Sequence, residues 1–267
     1  MPATRMVGAA FLSLALLTGS AWAEEVPVDL ELVLAVDMSR SMDTDEQALQ
    51  RQGYISALTH PEVIQAIGTG PLGRIAVTYV EWSGPVSQRV IAPWAVIDSA
   101  ETAAAFAAKI VPTRFDGRFG TSISSSLVFA AGLFDGNGFA GERRTIDISG
   151  DGPNNSGVPV TPIRDMVVER GIVINGLPIM LKPSSGIGLY GIPDLDAYYE
   201  DCVIGGPGAF IVSVDKLEHF EAAIRRKLVL EIAARPSLVI PAADEQKAQR
   251  VDCMIGEKLR RGWMNDR

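Results

Sequence analysis

Short runs of β-branched and leucine residues alternate with helical segments along most of this chain, and this alternation constrains its fold most strongly. Nearly continuous apolar runs of strand length predict strands that are buried on both faces of a parallel sheet. The runs span residues 31–37, 74–82, 144–149, 172–177 and 210–214.

Helical periodicity or helix-start signals occupy the segments between and after these runs. The predicted helices span residues 43–58, 98–110, 121–134, 161–170 and 215–232. Residues 86–97 break the alternation, because they follow the second strand after a Ser83-Gly84-Pro85 turn without an intervening helix. We therefore predict an α/β fold with a doubly wound, mostly parallel central sheet, flanked by helices and carrying one antiparallel edge strand at 86–97.

Composition excludes two broad classes of protein. The chain has 267 residues, of which 47% are hydrophobic, and such a sequence has enough apolar surface to build a core instead of remaining disordered. It carries 24 basic and 32 acidic residues, a net charge of −8, and therefore lacks the basic excess typical of nucleic-acid-binding proteins. We expect no nucleic acid among its partners.

The first 23 residues have the pattern of a secretory signal peptide. Arg5 precedes an apolar run over residues 6–17, and Ala21-Trp22-Ala23 gives the small-x-small pattern of a cleavage site. The run is shorter than the roughly 20 residues that span a bilayer, and no later stretch is apolar enough to do so. We expect an exported protein, periplasmic or extracellular, with a net charge of −9 after cleavage.

The chain has two cysteines, Cys202 and Cys253. In an oxidising compartment they permit one intramolecular disulfide, which would tie the C-terminal tail (233–267) to a Gly-rich insertion (181–208). The alternative is a pair of unpaired buried thiols. An acidic and aromatic cluster around Tyr198 and Tyr199 lies in the same insertion, and we expect either a solvated loop or a contact surface there.

Oxygen-bearing side chains follow the ends of two predicted strands and begin one helix. Asp37, Ser39 and Ser41 alternate after the first strand, Asp151 follows the strand at 144–149, and Thr121 begins the third helix. Ligands of doubly wound sheets bind at the carboxyl ends of the strands, so these residues are expected to converge. Carboxylate and hydroxyl oxygens suit Mg²⁺, Mn²⁺ or Ca²⁺ and not zinc or copper.

With these three parts in this order, the chain resembles the von Willebrand factor A-type (VWA) domains. It is most similar to the exported bacterial VWA-like proteins that are grouped as a family of unknown function. The resemblance covers about residues 28–232 and implies a metal-ion-dependent adhesion site made of Asp37, Ser39, Ser41, Thr121 and Asp151. In such a site the metal captures a carboxylate from a protein partner. This chain departs from many relatives by the sequence Ser149-Gly150-Asp151-Gly152, where they have Thr-Asp-Gly, and by its insertion.

The leading functional hypothesis is therefore a non-enzymatic, divalent-metal-dependent protein-binding module. One alternative is a metal-dependent phosphohydrolase, although such enzymes typically have a second aspartate where this chain has Ser39. Another is a structural envelope protein whose metal only stabilises the fold. A serine hydrolase has little support, because the chain has only two histidines, His60 and His219, and no Gly-x-Ser-x-Gly motif.

Overall fold

The computed structural model describes residues 24–39, 42, 44–111, 120–181, 191–233 and 250–265. Its strands are β1 (Val26–Val28), β2 (Leu30–Asp37), β3 (Ile75–Trp82), β4 (Gln88–Ile97), β5 (Phe139–Gly141), β6 (Arg144–Gly150) and β7 (Ile172–Pro178). Five of them form one sheet in the order β4-β3-β2-β6-β7. All neighbours in this sheet are parallel except β3 and β4, which are antiparallel. The predicted sheet, with its antiparallel edge strand, is confirmed.

Helices flank this sheet. They are α1 (Thr44–Leu58), α2 (Pro61–Gly68), α3 (Ala100–Ala107), α4 (Ile123–Gly132), α5 (Val160–Glu169), α6 (Leu195–Tyr198), α7 (Phe220–Ala233) and α8 (Ile255–Asn265). Sequence periodicity did not predict α2, which begins at Pro61 and is capped by Nδ1 of His60, an acceptor for the Glu62 amide. His60 therefore has a structural role.

The sheet separates two apolar cores, and β2 supplies side chains to both. Leu32 and Leu34 face the core that contains α1, α2, α3 and α7, whereas Val33 and Ala35 face the core that contains α4 and α5. Every residue of β2 is buried, as expected for a strand that is covered on both faces. This is the doubly wound arrangement that the alternating sequence pattern predicts.

The predicted strand at 210–214 is wrong, because this segment forms only isolated bridges beside β7. The Gly176 amide donates to the Phe210 carbonyl, and the amides of Val212 and Val214 donate to the carbonyls of Gly176 and Pro178. Pro178 has no amide hydrogen, so it cannot provide the next bond of a parallel ladder. The segment follows the sheet edge without becoming a regular strand.

Within the inserted segment at 181–208, the helical residues 195–203 pack against the second core. Residues Leu195–Tyr198 form α6, and a π-helical turn, Tyr199–Val203, follows it directly. Tyr198 and Tyr199 are fully buried, so the expectation that they belong to a solvated loop or a contact surface is wrong. Their rings join the apolar core, while the carboxylates of Glu200 and Asp201 pair with Arg250.

A buried ionic cluster lies between α7 and the sheet. Nζ of Lys227 is 2.7 Å from Oδ1 of Asp147 and also contacts Glu231, which accepts a hydrogen bond from Asn175. Burial, with the negative charge of Asp147, raises the pKa of Glu231 to about 7. One ammonium group thus faces two buried carboxylates, and the cluster joins α7 to β6 and β7.

Among the described residues, no helix is both long and apolar enough to cross a membrane.

Candidate metal centre

Two neighbouring parallel strands bring the two predicted metal-site aspartates to the same edge of the sheet. Asp37 is the last residue of β2, and Asp151 directly follows β6. The register pairs Val36 with Ser149, so both strands end at nearly the same level. Besides burial, the negative charge of Asp151 raises the pKa of the Asp37 carboxyl group, as expected for two carboxylates at the same edge of the sheet.

The Asp37 carboxylate is entirely buried, and no ion pair joins it to a cationic side chain among the described residues, which is unusual for an ionisable group. Its Oδ1 accepts a hydrogen bond of 2.7 Å from the Ser39 amide, whereas its Oδ2 has no hydrogen-bond partner among the described residues. Burial raises the pKa of Asp37 well above its ordinary value, and the negative charge of Asp151 raises it further. Hydrogen bonds from Ser39 and from the Asp151 backbone partly oppose this rise.

Thr121 lies at the same edge of the sheet, on a loop that backbone contacts hold to the loop of Asp151 and to the end of β3. Its amide donates to Oδ1 of Asn155 at 2.8 Å, and its carbonyl accepts from the Asn155 amide at 2.9 Å. The amide of Ser122, the next residue, donates to the carbonyl of Ser83 just after β3. The start of α4 is thereby fixed to the loop of Asp151 and to the sheet.

The structure places four of the five predicted metal-site residues at this rim. Asp37, Ser39 and Thr121 are buried, and Asp151 is partly exposed. Ser41 lies outside the described residues. The structure therefore brings together two carboxylates and two hydroxyl-bearing residues, drawn from three separate loops.

This donor set fits a hard divalent cation. Among the described residues, no group of three or more His, Cys, Asp or Glu side chains could hold a metal ion, so serine and threonine hydroxyls would have to complete the coordination. The Oδ2 atom of Asp37, which has no hydrogen-bond partner in the described part of the chain, is an available acceptor, and a cation would stabilise the ionised form that burial and Asp151 disfavour. Mg²⁺ accepts few carboxylates and several neutral oxygen ligands, which matches this composition.

Sequence reasoning did not identify two residues that shape this rim, Gly150 and Tyr199. A Cβ atom at Gly150 would lie 2.7 Å from Oη of Tyr199 and 3.1 Å from Oδ2 of Asp37, so only glycine fits between them. The departure from the Thr-Asp-Gly sequence therefore has a steric reason in this chain. Burial, followed by the charges of Asp37 and Asp151, raises the pKa of Tyr199 well above its ordinary value, so its hydroxyl keeps its proton.

Asn154 connects the metal-site loop to three other parts of the molecule. Its Oδ1 accepts from the amide of Ser124 in α4, and its own amide donates to Oη of Tyr198. Its Nδ2 donates to Oε1 of Glu257 in α8 at 2.7 Å. The C-terminal helix is therefore attached to the loop that follows Asp151.

The predicted disulfide between Cys202 and Cys253 is present, with the two Cα atoms 5.5 Å apart. It joins the π-helical turn that carries Tyr199 to the residues just before α8. Gly256 of α8 lies so close to the Asn154 carbonyl that a Cβ atom at this position would overlap its oxygen. Arg260 of the same helix reaches the backbone at Gly120, the residue before Thr121. Residues 250–265 of the tail therefore contact both the insertion and the metal-site rim, and we call them the C-terminal brace.

Comparison with solved structures finds the same fold in several proteins. The pilus adhesin SpaC from Lactobacillus rhamnosus GG is 18% identical with a TM-score of 0.55, and the match covers 78% of this chain and 31% of that protein. Proximal thread matrix protein 1 from the mussel byssus, with a zinc-occupied MIDAS motif, is 13% identical with a TM-score of 0.52, covering 79% and 50%. A von Willebrand factor type A protein from Catenulispora acidiphila is 14% identical with a TM-score of 0.52, covering 77% and 43%.

This chain spans half or less of the length of these structural relatives, and at such identities the likeness concerns the fold. No protein of curated function matches its sequence. Residues 27–236 match the family described as "Protein of unknown function (DUF1194)". The chain therefore belongs to the DUF1194 family, and its fold is that of a von Willebrand factor A-type domain.

Proposed function

We propose that this protein is an exported, divalent-cation-dependent protein-binding module and not an enzyme. The observation that carries the proposal is the Asp37 carboxylate, which is buried beside Asp151 with one oxygen unpartnered among the described residues. Asp37, Ser39, Ser41, Thr121 and Asp151 would hold Mg²⁺, or alternatively Mn²⁺ or Ca²⁺. The cation would supply an electrophilic centre that attracts a carboxylate of the partner.

The structural relatives support a binding role of this kind. One is described as a pilus adhesin, and another is a matrix protein whose MIDAS motif holds zinc. The disulfide between Cys202 and Cys253 supports an oxidising, extracytoplasmic compartment, in agreement with the signal-peptide pattern of residues 1–23. Periplasmic and extracellular locations are both compatible with these features.

The surroundings of the histidines support a non-enzymatic role. His60 accepts a hydrogen bond from the start of α2, and His219 pairs with the exposed Asp215. Ser39 occupies the position two residues after Asp37, where an aspartate-nucleophile phosphatase typically has its second aspartate. Turnover of a generic phosphate ester that is lost in Asp37→Asn would favour the phosphohydrolase alternative.

A pull-down from cell-envelope extract of the organism that makes the protein tests the proposed function. We expect a protein that the immobilised chain retains in Mg²⁺, releases in EDTA and does not bind when Asp37 is replaced by alanine. Retention of the same proteins with and without EDTA would contradict the proposal. A cation that stabilises the fold while no EDTA-sensitive partner is found would favour a purely structural metal site.

A further inference from the structure

Two buried oxygens without hydrogen-bond partners among the described residues meet at the metal-site rim. One is Oδ2 of Asp37, and the other is Oη of Tyr199. Both residues are fully buried. A buried hydroxyl without a partner destabilises the fold, so the retention of this hydroxyl on Tyr199 calls for an explanation.

Gly150 fixes the distance between these two oxygens. The position of its missing Cβ is 2.7 Å from Oη of Tyr199 and 3.1 Å from Oδ2 of Asp37, so the oxygens are no more than about 6 Å apart. They do not hydrogen-bond to each other. A single water molecule that makes two hydrogen bonds of ordinary length can bridge oxygens that are about 4.5 to 5.5 Å apart, which lies within this limit.

The surrounding structure keeps the phenol in this position. Tyr199 begins the π-helical turn Tyr199–Val203, and the disulfide of Cys202 anchors that turn to the C-terminal brace. The ring packs in the second core, and its Cδ1 lies against Gly176, where a Cβ atom would be 2.6 Å away. The hydroxyl is therefore held rigidly toward Asp37.

We propose that Tyr199 is a positioning residue of the metal centre, contributed by the inserted segment, whose hydroxyl hydrogen-bonds to water beside the Asp37 carboxylate when the cation is bound. This inference rests on the proposed cation site and adds to it a residue outside the Asp-x-Ser-x-Ser, Thr and Asp set. Groups that orient metal ligands contribute substantially to metal affinity, and their replacement typically costs 10- to 100-fold.

The test compares Tyr199→Phe with Tyr79→Phe. Each variant is expressed from the whole sequence and purified after any processing by the expression host. Tyr79 is the matched control, because it is also fully buried and its hydroxyl also lacks a partner among the described residues. It lies in β3 and faces the other core. Calorimetric titration with Mg²⁺ measures affinity, and melting in EDTA measures the stability of the cation-free protein.

For Tyr199→Phe we expect the stability of the cation-free protein to be kept or raised and the Mg²⁺ affinity to fall. In EDTA the variant should melt at or above the wild-type temperature, because an unpartnered hydroxyl has been removed, whereas its Mg²⁺ dissociation constant should rise about tenfold or more. Tyr79→Phe should keep the wild-type affinity.

Wild-type affinity of Tyr199→Phe would overturn this inference while leaving the proposed function intact. So would a lower melting temperature in EDTA, because it would show that the hydroxyl already has a structural partner. Equal weakening of Mg²⁺ binding in both variants would also contradict it. If the wild-type chain bound no divalent cation, the proposed function and this inference would fail together.

Discussion

Gly150 is the residue where the sheet, the inserted segment and the candidate metal site meet. Its missing side chain leaves space between Oη of Tyr199 and Oδ2 of Asp37. Its φ angle is not in the left-handed region, so this glycine is required by close contact and not by backbone conformation. The sequence motif around Asp151 could be recognised without the structure, but the reason for glycine at 150 could not.

Replacement of Gly150 by alanine should therefore damage the metal site. The new methyl group would force the buried Tyr199 ring or the Asp37 carboxylate to move, at a cost of about 1 to 3 kcal/mol in the free energy of unfolding. We expect Mg²⁺ affinity to fall by about tenfold or more, measured by calorimetric titration. Gly132→Ala in α4 is the control, since nothing lies within 4 Å of its Cβ position, and it should be neutral or slightly stabilising. Unchanged affinity and stability in Gly150→Ala would contradict the proposed geometry.

Sequence reasoning identified the candidate site at the level of single residues because its signal is local. Asp37, Ser39, Thr121 and Asp151 follow strand ends or precede a helix, and the topology places such positions on one edge of the sheet. Tyr199 gives no such signal, since it is more than 150 residues from Asp37 in a segment without a clear period. Its role depends on how the insertion packs, which only the structure shows.

At the scale of elements, the buried strands were the most predictable part of the fold. Near-continuous apolar runs predicted β2, β3, β6 and β7 because these strands are covered on both faces. The segment at 210–214 has the same composition, yet the missing amide hydrogen of Pro178 in the neighbouring strand limits it to isolated bridges. The composition of a segment therefore does not show whether the neighbouring strand has the amide hydrogens that pairing requires.

The Cys202–Cys253 disulfide joins the insertion to the C-terminal brace. Arg250 pairs with Glu200 and Asp201 next to the disulfide, and Glu257 accepts a hydrogen bond from Asn154. These contacts connect α8 to the loop of Asp151 and to the turn of Tyr199. We infer that the brace stabilises the side of the metal site formed by the insertion.

Replacement of both cysteines by serine should lower the free energy of unfolding. The bridge spans 51 residues of sequence, and closure of a loop of this size in the unfolded chain corresponds to about 4 kcal/mol. Chemical denaturation of the variant and of the oxidised wild-type chain measures the difference. Equal denaturation midpoints and slopes would show that the brace is held by its other contacts.

At the scale of the whole molecule, the fold explains why two acidic side chains, Asp37 and Asp151, lie at the same edge of the sheet. The chain carries a net charge of −8, and most acidic side chains can remain in solvent. Asp37 and Asp151 instead lie close together at the carboxyl edge of the sheet, at an energetic cost that a bound cation would reverse. The site is also the place where α4, the insertion and the C-terminal brace converge.

Cation binding that depends on Asp37 is the central claim of this account. Titration of the full-length chain with Mg²⁺ in a calorimeter, with Asp37→Ala in parallel, tests it most directly. The account predicts saturable binding at one site in the wild-type chain and none in the variant, with both proteins folded by circular dichroism. Absence of binding by the folded wild-type chain, or equal binding by Asp37→Ala, would contradict it.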